Sequence, residues 1–494
     1  MKKNMKKTMV LAMLHAFAVC AGAAELPRWK IVCGSMEGPE GRAVELLTSE
    51  LGDTLLREPG IYATHVLPVW TAAEDPATNG NAIVIGTLAD NAVLAKRLKP
   101  TDVPAGGYCV KAFSEDGREL VLIAGAGPKE ALWGASDYLT DGIAAMLPDR
   151  GNGISFRRDV MKGRRLRDYE VHRAPKTAVR SVFTWAHPIA DYREYIRNLA
   201  RLRFNRVYLW NDYPPRNAAE IVAYAHSWGV EVFWGFAWGW LPDCSQVCAA
   251  DDAAQVRTIM DAWRGTWRMV PGDGIYFQTF TEVFKREGEK ESVAARAVRV
   301  VNAAAAKILA EDPKLRLVFG LHAHGVADDL DEIAKTDPRL EILWENTGSF
   351  PYWHRQCERG VTEAESAALT EKVISDEVHP VGIVWKCLLV QDWTCWTHQE
   401  GPYLLGVTSR RTRDADVAVH DEPWHLYTEH WLANWGRAVA AARLAQGQKH
   451  AVEMNAAAQL NGPIRLPVAL LAELFWDASG DKDEILSRVL KRKW

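Results

Sequence analysis

Hydrophobic and polar positions fall in blocks along the second half of this chain. Short apolar runs recur there, and each stops at aromatic or polar side chains: RVYLWND ends at Asp212, EVFWGFAWGW at Trp240, GIYFQTFTE at Glu282. RLVFGLHAH ends at His324, EILWEN at Asn346 and GIVWK at Lys386. Runs of about four to six β-branched and aromatic residues read as strands buried on both faces, which is the signature of a parallel sheet covered by helices. Helical patterns over 191–202, 217–228, 291–310, 328–335 and 362–375 separate them. Strands spaced by such helices form βα units. SVFTW, Ser181 to Trp185, supplies a first strand, and Val417 to His420 is the expected eighth. The pattern predicts a (β/α)8 barrel, whose carboxyl-end loops carry the chemistry in enzymes of this architecture. Glu231 lies inside one of these strands and needs a polar neighbour to face.

The first half reads differently. Strands are expected at Lys30–Cys33, Thr64–Val69 and Asn81–Thr87, with helices at Glu40–Leu55 and Asp90–Leu98. Tyr108–Phe113 and Glu119–Ala124 form a hairpin around Asp116-Gly117, a strong hairpin turn signal. A helix over Lys129–Leu139 closes a small α+β domain, and a basic link from Arg157 to Arg167 follows. The C-terminal part reads as helical, over 431–446, 467–475 and 482–491. The expected division is therefore an export signal at 1–24, the α+β domain at 25–165, the barrel at 166–422 and a helical segment at 423–494 that completes it.

The export signal rests on Lys2, Lys3, Lys6 and Lys7 ahead of an apolar stretch from Met9 to Cys20, with Ala21-Gly-Ala23 as the small-residue cleavage pattern. That stretch is too short to span a bilayer permanently, and no later segment is apolar enough. The mature protein is expected to be periplasmic or secreted, without stable membrane insertion. Eight cysteines less Cys20 leave seven. Cys244 and Cys248 could bridge in an oxidising compartment, or all seven could remain reduced thiols.

A net charge of -4 provides no basic excess for phosphates and argues against nucleic acid as a partner. Tryptophan is the outlier, with 21 residues, thirteen of them between Trp185 and Trp396. Indole rings stack on sugar faces, although core packing draws on the same residue. Clustering after strand runs favours sugar contact for Trp185, Trp210, Trp238 and Trp385. Oligomeric state is not legible.

Several segments carry a family likeness: AIVIGT, the hairpin GYCVKAFSEDGRELVLIAG, PKEALWGASDYL, and the closing run LLAELFWDASGDKDEILSRVLK. In order and character the chain resembles the glycoside hydrolases of families 20, 67 and 115. The resemblance implies a non-catalytic α+β domain ahead of a catalytic barrel and a carbohydrate substrate. Glycoside hydrolysis uses two carboxyl groups, one protonating the leaving oxygen and one acting as nucleophile or activating water. Glu282, after the fourth strand, matches the position of a family 67 glutamic acid and is the expected general acid. Glu345, after the sixth strand, is the expected base, with Asp392 as the alternative. Family 20 places an Asp-Glu pair after the fourth strand, but Thr281 precedes Glu282 here, so its acetamido-directed chemistry lacks a partner.

Strand ends supply further candidates for substrate contact: Asn211, Asp212, Gln278, His322, His324, Asn346 and Lys386, the last suited to a uronic-acid carboxylate. No cofactor or metal is expected. A metal at His322 and His324 would need Asp328 or Asp329 as a third ligand. The reading is an exported glycoside hydrolase with an α-glucuronidase-like or other exo-acting specificity. The alternatives are a β-N-acetylhexosaminidase-like enzyme, a metal-dependent hydrolase, and a barrel that binds glycans without cleaving them.

Overall fold

In the computed structural model the apolar runs become strands of two sheets. The structure describes residues 29–55, 67–74, 80–142, 168–184, 189, 191–210, 213–237, 251–278, 291–345, 362–385, 428–457, 460 and 462–492. The first sheet holds β1 (Trp29–Cys33), β2 (Val69–Thr71), β3 (Asn81–Thr87), β4 (Tyr108–Glu115), β5 (Arg118–Gly125) and β6 (Tyr169–Arg173) in the order β2-β1-β3-β5-β4-β6. Strands β2, β1, β3 and β5 run parallel, and β4 is antiparallel to both β5 and β6. The β4–β5 turn is tight because Asp116 and Gly117 both take positive φ, 50° and 77°. Only short polar residues and glycine adopt that pair readily. β6, YEVHR, alternates with charged positions and was not legible as a strand; it finds its partner in β4.

Helices α1 (Gly38–Leu55) and α3 (Pro128–Asp137) cover one face of this sheet, and α2 (Ala92–Arg97) covers the other. The Asn91 side chain caps α2 by accepting from the amides of Val93 and Leu94.

The second sheet is a closed barrel of eight parallel strands. They are β7 (Val179–Phe183), β8 (Arg206–Trp210), β9 (Glu231–Ala237), β10 (Gly274–Gln278), β11 (Arg316–His322), β12 (Glu341–Glu345), β13 (Val381–Trp385) and β14 (Ala451–Ala457). Around them stand α4 (Tyr192–Arg201), α5 (Ala218–Ser227), α6 (Asp252–Gly265), α7 (Val293–Glu311), α8 (Leu330–Ile333), α9 (Glu363–Ile374), α10 (Trp435–Gln446), α11 (Leu466–Trp476) and α12 (Lys482–Lys491). None of the described helices is long and apolar enough to cross a membrane.

The eighth strand is a correction. It is β14, within the segment expected to be helical, and it pairs with β13 on one side and β7 on the other. Val417–His420 lies outside the described residues. β14 reads AVEMNAA, and its inward positions are Glu453 and Asn455 rather than apolar side chains. Hydrophobicity alone does not find such a strand.

Glu453 and Asn455 are tolerable inside because the barrel floor is a polar network. Arg206 donates through Nη1 to Glu453 Oε2 at 2.6 Å and Glu341 Oε2 at 3.0 Å, and through Nε to Glu231 Oε2 at 3.1 Å. Tyr208 donates to Glu453 Oε2 at 2.9 Å, Ser181 donates to Glu453 Oε1, and Asn455 donates to Ser181 Oγ at 2.7 Å. Glu231 also meets Arg316 at 3.0 Å, which is the polar neighbour its place in a strand demanded. Burial, above all, and the adjacent Glu453 push the Glu341 carboxyl well above its ordinary range despite Arg206.

The two sheets share one apolar cluster. Trp133 of α3 packs edge-on against Trp476 of α11, with ring centroids 5.4 Å apart. A buried ionic cluster lies alongside. Glu473 of α11 accepts from Arg203, Arg488 and Arg492; Arg492 also holds Asp141, and Arg173 bridges Asp137 and Asp141 at 2.9 and 3.1 Å.

Candidate active site

The carboxyl ends of β8, β10, β11 and β12 bring together residues far apart in the chain. Parallel pairing sets His322 directly opposite Glu345 on neighbouring strands. Both therefore point to the same side of the sheet. Glu345 is 1% exposed. Its Oε1 accepts a hydrogen bond from the Tyr276 hydroxyl, and its Oε2 lies 3.3 Å from His322 Nε2. A phenol and an imidazole thus converge on one buried carboxyl group. A carboxyl group held this way has a fixed orientation, which is what a base or nucleophile requires.

Tyr276 was not a candidate from sequence, since a tyrosine in an apolar strand reads as core. It is core as well. Its ring meets Phe183 at 5.0 Å, Tyr208 at 5.4 Å and Trp210 at 6.1 Å, in edge-to-face arrangements. With Phe233, Val318, Leu343 and Val384 these rings fill the barrel above its polar floor. The signal that could have exposed Tyr276 is its place two residues before the end of β10, close to the carboxyl end of the barrel.

Glycines make room for the rings. A Cβ on Gly320 would meet the Tyr276 hydroxyl at 2.0 Å, and one on Gly235 would meet Trp210 Cε3 at 2.8 Å. Contacts under 3.0 Å demand movement, and neither ring is at the end of a flexible chain. Large and small residues are matched across neighbouring strands, as close packing in a barrel interior requires.

Trp210 ends β8 with 7% exposure and packs into this aromatic cluster. Gln278 ends β10, and His324 falls in the short 3-10 turn Ala323–Val326; their side chains lie outside what the structure describes. Trp385 requires correction. It is fully buried and packs on Phe475 of α11, centroids 5.3 Å apart, while its neighbour Val384 joins the inner cluster. Alternation along β13 therefore turns Trp385 outward to the helices, where it serves the core and cannot stack on a sugar in the barrel mouth.

Trp185, Asn211, Asp212, Trp238, Glu282, Asn346, Lys386 and Asp392 lie outside the described residues, as do Cys244 and Cys248. Among the described residues no three His, Cys, Asp or Glu side chains form a metal-ligand group. His322 Nε2 faces Glu345 Oε2 at 3.3 Å, and Asp329 immediately precedes α8.

No protein-family model matches the chain, and no curated protein matches it. Solved structures do. A family GH115 4-O-methyl-α-glucuronidase with specificity for decorated arabinogalactans is 14% identical, with 94% of this chain covered, 57% of that one and a TM-score of 0.49. The chain thus spans less than two thirds of that structure. CpGH84B is 11% identical, over 94% of this chain and 70% of that one, with a TM-score of 0.49. An inactive mutant of a GH20 exo-β-N-acetylglucosaminidase from Vibrio harveyi is 10% identical, over 94% and 73%, with a TM-score of 0.51. At this identity the likeness to the GH20 structure is one of fold alone.

Proposed function

We propose that this protein is an exported glycoside hydrolase acting on a glycan, with Glu345 as the base or nucleophile and Glu282 as the general acid. The observation that carries the reading is the Glu345 carboxyl group at the carboxyl end of a closed barrel, fastened by Tyr276 and flanked by His322. In this architecture that end holds the reacting groups. The fold shared with the GH20 exo-β-N-acetylglucosaminidase supports a glycosidic bond as the target. In the sequence Glu282 follows Gln278, the last residue of β10, by four positions. Lys386 directly after β13 suits an anionic sugar such as a uronic acid, which makes an α-glucuronidase-like, exo-acting specificity the preferred form. The basic, apolar and small-residue order of residues 1–24 supports export to the periplasm or medium.

The burial of Glu345 favours one other reading, in which that carboxyl group only braces the barrel and the protein binds glycans without cleaving them. One experiment separates the two. Purified protein is screened on aryl α- and β-glycosides, including glucuronides and N-acetylhexosaminides, beside Glu345→Gln and Glu282→Gln. Hydrolysis that falls about 10²–10⁴-fold in either variant supports the enzyme. Glycan binding without turnover by the wild type, or full turnover in both variants, overturns it.

A further inference from the structure

The column of aromatic rings inside the barrel joins its polar floor to Glu345. Tyr208 is anchored below, donating to Glu453 at 2.9 Å and accepting from Arg206 Nη1 at 3.0 Å. Its ring meets Tyr276 at 5.4 Å in a T-shaped contact, and Phe183 of β7 and Trp210 of β8 also close on Tyr276. Tyr276 is wholly buried. Its hydroxyl occupies the space that any side chain at position 320 would need.

A ring serving only as filler would not need that space. Phenylalanine at 276 would keep every ring contact and would leave the barrel one oxygen emptier at Gly320. The sequence instead carries a hydroxyl there, and the hydroxyl is aimed at Glu345 Oε1. Resting on the reading of Glu345 as the working carboxyl group, we infer that Tyr276 is its positioning residue. The phenol ties down Oε1 and so assigns the chemistry to Oε2, the oxygen 3.3 Å from His322 Nε2. Tyr276 touches no substrate itself, being sealed beneath Glu345 and the rings around it. Its action is to fix the carboxyl plane and to complement negative charge on it, since a donor hydrogen bond favours the ionised form.

The test is Tyr276→Phe in the full-length protein, read in two ways. The first readout does not depend on activity: ¹³C-carboxyl titration, with the Glu345 signal identified by its loss in Glu345→Gln. Loss of one hydrogen bond to a charged group should move the midpoint upward by about one to two pH units. The second readout is kinetic, on the aryl glycoside that the screen selects. There kcat should fall about 10- to 100-fold with little change in KM, and the acid limb of the pH–rate profile should rise with the titration midpoint. If Tyr276→Phe does not fold, 3-fluorotyrosine at 276 keeps the ring and strengthens the donor, and both midpoint and limb should move downward. An unmoved midpoint overturns the role of Tyr276. A moved midpoint with full turnover in Glu345→Gln instead overturns the reading of Glu345 and leaves the hydrogen bond a structural one.

Discussion

Gly320 and Tyr276 approach so closely that a methyl group on Gly320 would lie 2.0 Å from the phenolic oxygen and 2.4 Å from the ring carbon that bears it. Gly320→Ala therefore cannot be absorbed by the hydroxyl alone, and the ring must shift from the position that serves Glu345. Overpacking of this kind costs about 1–3 kcal/mol. Chemical unfolding should register that loss. Turnover should fall at least as far as in Tyr276→Phe, because the hydrogen bond and the ring position are both disturbed. An alanine variant with wild-type stability would mean that β10 and β11 separate more easily than their pairing suggests.

Trp385→Ala distinguishes core from substrate contact. The indole packs on Phe475 at 5.3 Å and is fully buried. Its removal should cost roughly 3–5 kcal/mol of stability. Under conditions where the variant stays folded, glycan affinity measured by calorimetry should match the wild type. Weaker binding by a fully folded variant would return Trp385 to the binding surface.

Glu473 should prove essential for joining α11 and α12 to the rest of the chain. The positive charges of Arg492, Arg203 and Arg488 hold its carboxyl well below the ordinary range, against the opposing effect of burial. A depressed carboxylate contributes stability that is present above its unfolded value near 4.5 and lost only as pH falls through the folded one. Glu473→Gln should thus destabilise strongly at neutral pH, by about 3–5 kcal/mol, since it leaves buried guanidinium groups short of an anion. The gap between variant and wild type should narrow only in strong acid. A pH-independent difference in unfolding free energy would contradict this.

Glu40 should act in the opposite sense. At the start of α1 its Oε1 accepts from the amides of Gly34 and Ser35, at 2.6 and 2.8 Å. Burial, above all, and the neighbouring Asp90 push its carboxyl up to about 7, against the lowering effect of those amides. The folded protein then holds this proton more tightly than the unfolded chain. Stability from this group is full below about 4.5 and is lost as pH rises through about 7, an effect on the order of 3 kcal/mol. Glu40→Gln keeps a carbonyl for the amides without the titration. It should flatten stability between pH 5 and 8, and a wild-type slope in that variant would assign the effect to another group.

The apolar runs ending at Trp210, Glu345 and Trp385 were legible as strands because both faces of a barrel strand are buried, so no polar position interrupts them. The Asp116-Gly117 turn was legible for a local reason, since few other residue pairs accept its backbone angles. His322 and Glu345 could be assigned to strand ends on the same grounds. Their meeting could not, because it depends on the register of β11 against β12. The eighth strand escaped because its inward Glu453 and Asn455 are stabilised by Ser181 and Arg206, more than 240 residues away in the chain. Periodicity along β13 shows that Val384 and Trp385 face opposite ways, but which one enters the barrel is decided by its closure with β14. Tyr276 is the sharpest case. In sequence it is one more aromatic in an apolar strand; only the space left by Gly320 and the carboxyl group two strands away give its hydroxyl a task, because hydrogen-bond partners are set by three-dimensional proximity and not by local pattern.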